Sequence, residues 1–81
     1  MAEQIESAIL TMMRQDLHLA VGGAEDDLLA SGVLDSLALV DLLARLEQQW
    51  GITIQLDQVD LEDVRSVRRI AALVARQKSG S

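Results

Sequence analysis

Ser36, in the tripeptide Asp35-Ser36-Leu37, is the residue of this chain best placed to do chemistry. It stands where Leu28-Leu29-Ala30-Ser31-Gly32-Val33-Leu34 ends and a long amphipathic stretch reaching Trp50 begins. A hydroxyl there lies at the positive end of a helix dipole, in a segment facing solvent, and a phosphate ester on its oxygen is electrostatically favoured. Ser36 is therefore a candidate attachment point for a phosphorylated group. Read without that chemistry, it is simply a helix cap. Asp35 adds at least a favourable charge beside the dipole.

The other reactive side chains offer less. His18 is the single histidine and reads as a polar residue at the end of a first helix, where a cation is mildly favoured. With no cysteine, disulfides, thiolate zinc sites and a cysteine nucleophile are excluded, so any thiol chemistry needs a thiol supplied from outside. Glu25-Asp26-Asp27 does not follow the spacing of an EF-hand loop and reads as a solvated acidic turn. Asp57, Asp60, Glu62 and Asp63 form a charged face, and no metal site is assigned to either cluster. Arg65, Arg68, Arg69 and Arg76 make a local basic patch whose ordinary role is pairing with nearby acids. A contact for an acidic partner surface is the sharper alternative. No catalytic constellation is identifiable, so an enzyme is not expected.

Composition sets the limits of function. Seven basic against thirteen acidic side chains leave a net charge of −6, which repels phosphate backbones and excludes nucleic acid as a partner. Such acidity suits solubility and steering toward basic patches on proteins. Trp50 is the only aromatic residue, so stacking platforms are nearly absent. Hydrophobic residues make up 49% of 81, enough for one small domain whose core is only marginally sufficient. The start, Met1-Ala2-Glu3-Gln4, lacks the cationic and apolar regions of a signal peptide, and no apolar run is long enough to span a bilayer. A soluble cytoplasmic monomer without membrane insertion is expected, with one domain over residues 1–78 and a flexible tail over 79–81.

The elements that must position Ser36 follow from periodicity. Over residues 3–17, Ile5, Ile9, Met12 and Met13 fall at helical spacing, widened by Leu10 and Leu17, and Val21-Gly22-Gly23 ends the helix. Residues 22–35 show no helical period but are too apolar for disorder. They are expected to pack back on the bundle, with a helical turn around residues 26–30. The second helix is expected from Ser36 to Gln49 or Trp50, its core stripe being Leu39, Leu42, Leu43, Leu46 and Trp50. Trp50 reads as a core plug. Leu37, Val40 and Ala44 fall on another face, a surplus of apolar surface that fits deeper burial or a partner. Gly51 ends this helix, Ile52-Thr53-Ile54 is an extended connector, and residues 56–61 or slightly beyond form a short helix. Ser66 caps the last helix, in which Val67, Ile70, Ala71 and Val74 repeat on one side. The fold class is all-α, a small four-helix bundle of three main helices and one short one, with a long loop between helices 1 and 2.

Read together, Gly32-Val33-Leu34-Asp35-Ser36-Leu37-Ala38-Leu39-Val40-Asp41-Leu42-Leu43 resembles the attachment motif of acyl carrier proteins. The segment Leu61-Glu62-Asp63-Val64-Arg65-Ser66-Val67-Arg68-Arg69-Ile70 is similar to the joint between the short third helix and the fourth in carrier domains. The resemblance covers most of the chain. It implies that Ser36 receives 4′-phosphopantetheine from coenzyme A. The serine oxygen would attack the β-phosphate inside a separate phosphopantetheinyl transferase, which supplies metal and base. The terminal thiol of the arm would then hold cargo as a thioester. Asp35 and Leu37 flank the attachment point, and Asp35 would help to position the transferase or its metal. By position along the second helix, the resemblance places the partner surface on Asp35, Leu37, Val40, Asp41, Ala44 and Glu47.

The match has departures that bear on the cargo. Ala38, Leu39, Arg45, Gln48 and Gln49 stand in a helix that is more densely acidic in many fatty-acid-synthesis carriers. Residues 29–36 look closer to stand-alone carriers of aminoacyl groups or specialised metabolites, the D-alanyl carrier type among them. The expected partners are the transferase, an adenylating ligase or acyltransferase that loads cargo, and a downstream biosynthetic enzyme. Two alternatives stand beside this reading. One is a fatty-acid-synthesis carrier; the other is a helical protein-interaction module in which Ser36 only caps.

Overall fold

The stripe Ile5, Ile9, Met12 and Met13 folds as α1 (Ala2–Thr11), continued by one wider π-type turn over Met12–Asp16, in a computed structural model that describes residues 2–80. Met12 and Met13 both face the core from this turn. It is closed by the Leu17 N–H on the Met12 carbonyl at 3.1 Å. The helix stops earlier than Val21-Gly22-Gly23. His18 adopts the left-handed conformation at φ 56°, and the Leu19 N–H reaches the Met13 carbonyl at 2.8 Å. This is the hydrogen-bonded C-terminal turn usually made by glycine, widened by one residue to follow the π-type turn. Arg14 then folds over the exit, donating to the Val21 carbonyl at 2.9 Å and the Gly22 carbonyl at 3.0 Å.

The long connection packs on the bundle through Leu28 and Leu34, both buried. Its helical turn is capped by Asp27, whose Oδ1 accepts the Leu29 and Ala30 N–H groups at 3.1 and 2.9 Å. Gly32, at φ 77°, turns the chain out of it. α2 follows over Ser36–Trp50, burying Leu42, Leu43 and Leu46, with Leu39 and Trp50 half-buried against the same core. Trp50 therefore edges the core rather than plugging it. Gly51, at φ 63°, ends α2 in the left-handed conformation.

The connector Ile52-Thr53-Ile54 is extended, burying both isoleucines and exposing the threonine. The expected short helix is two 3₁₀ turns, Leu56–Gln58 and Leu61–Val64, separated by extended backbone at Asp60. Asp60 restarts the helical path through a reciprocal cap. Its Oδ1 accepts the Glu62 N–H, while Asp63 Oδ2 accepts the Asp60 N–H, each at 3.2 Å. α3 (Val67–Gly80) is capped by Ser66, whose Oγ accepts the Arg69 N–H at 3.3 Å. Val67, Ile70, Ala71 and Val74 are buried, and α1 packs mainly on α3. The all-α expectation holds, with no strand among the described residues. Helical backbone reaches residue 80, two of the three positions expected in a tail; Ser81 lies outside the described residues.

Candidate functional site

The first turn of α2 is built by Asp35 rather than by Ser36. Asp35 is extended (φ −108°, ψ −176°), and its Oδ1 accepts the Ala38 N–H at 2.8 Å. Its carbonyl takes the first helical bond, from the Leu39 N–H at 2.8 Å. Asp35 is thus the cap, which corrects the reading of Ser36 as the capping residue. The sequence offered two adjacent cap formers, and local propensity alone does not choose between them.

That assignment leaves Ser36 as the first helical residue, exposed, its hydroxyl without a hydrogen-bond partner among the described residues. The Ser36 and Leu37 N–H groups precede the first internal bond and have no acceptor among the described residues. An exposed hydroxyl beside two unpaired N–H donors at a helix N-terminus can accept a phosphate ester without surrendering a structural bond. The residues present fit such a group.

Along α2, Leu37 is 83% exposed and Val40 54% exposed, and Ala44 is exposed one turn further on. Asp41 is exposed and lies 3.5 Å from Arg45 Nε, whose Nη1 lies 3.9 Å from Asp16. Glu47 is differently engaged: it is half-buried, and its Oε2 accepts the Ile54 N–H at 2.8 Å, fastening the connector to the helix. Leu61, in the second 3₁₀ turn, is the third large hydrophobic residue left outside among the described residues, at 62%. Sequence reasoning did not single it out, because a short turn has too few residues for a period to separate its inner face from its outer one.

Most side chains of the charged clusters are spent on structure. Glu25 pairs with Arg68 at 2.6 Å, and Asp26 accepts the Gly22 N–H at 3.0 Å. Asp27 pairs with Arg65 at 2.9 Å, Glu62 with Arg65 at 2.8 Å, and Asp63 with Arg76 at 3.2 Å. Among the four arginines of the basic patch, Arg69 alone has no acidic partner among the described residues. The Asp27 carboxyl is held below its ordinary range by the Ala30 N–H and by the Arg65 guanidinium, against partial burial. His18 is exposed at the end of α1, remote in sequence from Ser36.

Comparison with known proteins gives the family. The family model described as "Phosphopantetheine attachment site" matches residues 7–74. A D-alanyl carrier protein of Lactococcus lactis subsp. lactis (strain IL1403) is 32% identical over 83 residues, covering 96% of each chain. A D-alanyl carrier protein of Streptococcus suis (strain 98HAH33) is 37% identical over 46 residues, covering 57% of this chain and 58% of that one. With a match running from the middle of α1 into α3 around a free serine at the start of α2, the chain belongs to the phosphopantetheine-binding carrier protein family, whose members bear 4′-phosphopantetheine covalently.

Proposed function

We propose that this chain is an aminoacyl carrier protein, modified on Ser36 and acted on by separate enzymes rather than catalysing a reaction itself. The observation that carries the reading is the division of labour at the head of α2. Asp35 closes the helix, so the Ser36 hydroxyl stays exposed and unengaged. When attached, the prosthetic group supplies a terminal thiol that holds cargo as a thioester. The chain's own residues present the serine. Asp35 fixes the first turn, Leu34 is buried one residue before it, and the unpaired N–H groups of Ser36 and Leu37 favour the phosphate oxygens.

The D-alanyl carrier relatives support an aminoacyl cargo over a fatty one. The proposed partners are a phosphopantetheinyl transferase, an adenylating ligase or acyltransferase, and a downstream biosynthetic enzyme. They dock on exposed Leu37, Val40 and Ala44, with Asp41 beside them, and the net charge of −6 suits basic partner surfaces. The proposed working form is a cytoplasmic monomer; among the described residues, no helix is long and apolar enough to cross a membrane.

The test is intact mass after incubation with coenzyme A and a broad-specificity phosphopantetheinyl transferase. The wild type gains one prosthetic group and Ser36→Ala gains none. No gain in folded wild type, or an equal gain in Ser36→Ala, refutes the reading. Loading the modified protein with an adenylating ligase and a panel of amino and fatty acids then separates aminoacyl from fatty-acyl cargo.

A further inference from the structure

The loop that delivers Ser36 is stitched to the head of α3 in an ordered, antiparallel way. The Leu28 N–H donates to the Arg65 carbonyl at 2.7 Å, and the Arg68 N–H donates to the Ala24 carbonyl at 3.0 Å. The side chains of the same two arginines repeat the pattern on the neighbouring loop residues: Arg65 Nη1 reaches Asp27 Oδ2 at 2.9 Å, and Arg68 Nη1 reaches Glu25 Oε1 at 2.6 Å. Ascending loop residues 24–28 thus meet descending residues 68–65, with every cation on the α3 side. Arg65 is the more consequential of the two arginines. Its Nε also holds Glu62 at 2.8 Å, so one guanidinium joins the loop to the turn that carries exposed Leu61.

The stitch continues toward the serine. The Leu28 carbonyl accepts the Leu34 N–H at 3.0 Å, and Leu34 directly precedes the capping Asp35. A backbone path therefore runs from the Arg65 carbonyl through Leu28 to Leu34, ending two residues before Ser36. Asp27 is engaged at both carboxylate oxygens, Oδ1 on the loop's helical turn and Oδ2 on Arg65. Burial of Leu28 and Leu34 keeps the loop packed without the guanidinium.

We infer that Arg65 is a positioning residue for the modification of Ser36, clamping loop residues 24–28 through Asp27 so that the start of α2 is held in one placement. The inference rests on the assignment of Ser36 as the attachment point. Loss of the clamp lowers the fraction of molecules that present the serine correctly, and the apparent affinity for the transferase falls by that fraction. A drop to about one third raises KM about threefold with kcat unchanged.

The experiment measures kcat and KM for modification by the transferase, and amide exchange at Leu28 and Leu34, in wild type, Arg65→Gln, Asp27→Asn and the double variant. Asp27→Asn keeps an oxygen for the turn, so it tests the clamp even if Arg65→Gln does not fold. Each single variant should raise KM about threefold and speed exchange at Leu28 and Leu34, and the double variant should be no worse than either single. Arg65→Lys should restore part of the loss. Arg76→Gln removes the same charge from α3 without touching the loop, and its KM should match wild type. Unchanged KM in the single variants overturns the clamp, as does an equal rise in Arg76→Gln, which would mark simple charge steering. An additive double variant overturns it as well. Wild type that takes no group at all would refute the attachment reading itself, and the clamp's role in modification with it.

Discussion

Removing the Asp35 side chain should destabilise the protein, whereas removing the neighbouring Ser36 hydroxyl should not. Asp35 Oδ1 satisfies the Ala38 N–H at 2.8 Å, and Ser36 Oγ satisfies nothing among the described residues. Loss of an N-cap side chain to alanine costs about 1 kcal/mol. For a domain of this size that lowers the thermal midpoint by roughly 4–8 °C. Ser36→Ala exchanges serine for a better helix former at an exposed helical position, so its effect is at most a few tenths of a kcal/mol, in the stabilising direction. Asp35→Asn keeps the acceptor and loses only the charge beside the dipole, a smaller effect that added salt should reduce. The assay is thermal and urea unfolding followed by circular dichroism at 222 nm (a wavelength reporting helix), on unmodified protein at neutral pH. The expected order of midpoints is Ser36→Ala at or above wild type, Asp35→Asn slightly below, and Asp35→Ala lowest. Equal losses in Ser36→Ala and Asp35→Ala would refute the assignment of the cap and return Ser36 to a structural role.

Three further outcomes are expected. Val40→Asp, on the exposed face of α2, should slow modification with helix content unchanged, whereas Glu47→Ala should leave modification rates near wild type and lower stability by about 1 kcal/mol, because Glu47 holds the Ile54 N–H; paired transferase and unfolding assays separate the two. The Asp27 carboxyl titrates below its ordinary value of 3.8 in the folded protein, so the stability it adds is fully present above that pH and fades as pH falls through the lower folded value. The gap in thermal midpoint between wild type and Asp27→Asn should therefore be constant near neutral pH and close below about pH 4.

The helices were legible because their signals are local. The stripe on α2 and the Ser66-capped stripe on α3 can be read off residues three and four apart, and each folds as read apart from Trp50, which edges the core. What escaped depends on partners distant in sequence or on fine register. The widened turn at Met12–Asp16 leaves no mark in the apolar period, because Met12 and Met13 sit on the same face of a regular helix as Ile5 and Ile9. Asp27 and Arg65 meet across a separation of 38 residues, and neither carries a local mark of the other. Glu47 occupies a surface position by helical spacing, yet the chain reverses at Gly51 and brings the Ile54 N–H within its reach. Reading Asp60 and Asp63 as a reciprocal cap was within reach, since an acceptor followed three residues later by a carboxylate is its usual spacing.

The separation of cap and handle has a consequence for the fold on either side of modification. Had Ser36 been the cap, its oxygen would be committed to a backbone N–H, and esterification would place a bulky, doubly substituted oxygen where a hydrogen-bond acceptor is required. The first turn of α2 would then loosen at the moment the arm is attached, beside the exposed Leu37 and Val40. With Asp35 closing the turn, the acceptor and the modified oxygen belong to different residues, and the Ala38 N–H keeps its partner in both forms. The added phosphate charge instead meets the helix end from outside, where the unpaired N–H groups favour it. Asp35 opposes that gain by like-charge repulsion, a modest effect at an exposed site in water. Unfolding of the modified protein should therefore match that of the unmodified form closely at physiological salt. A midpoint lowered by as much as Asp35→Ala lowers it would mean that the arm displaces the cap.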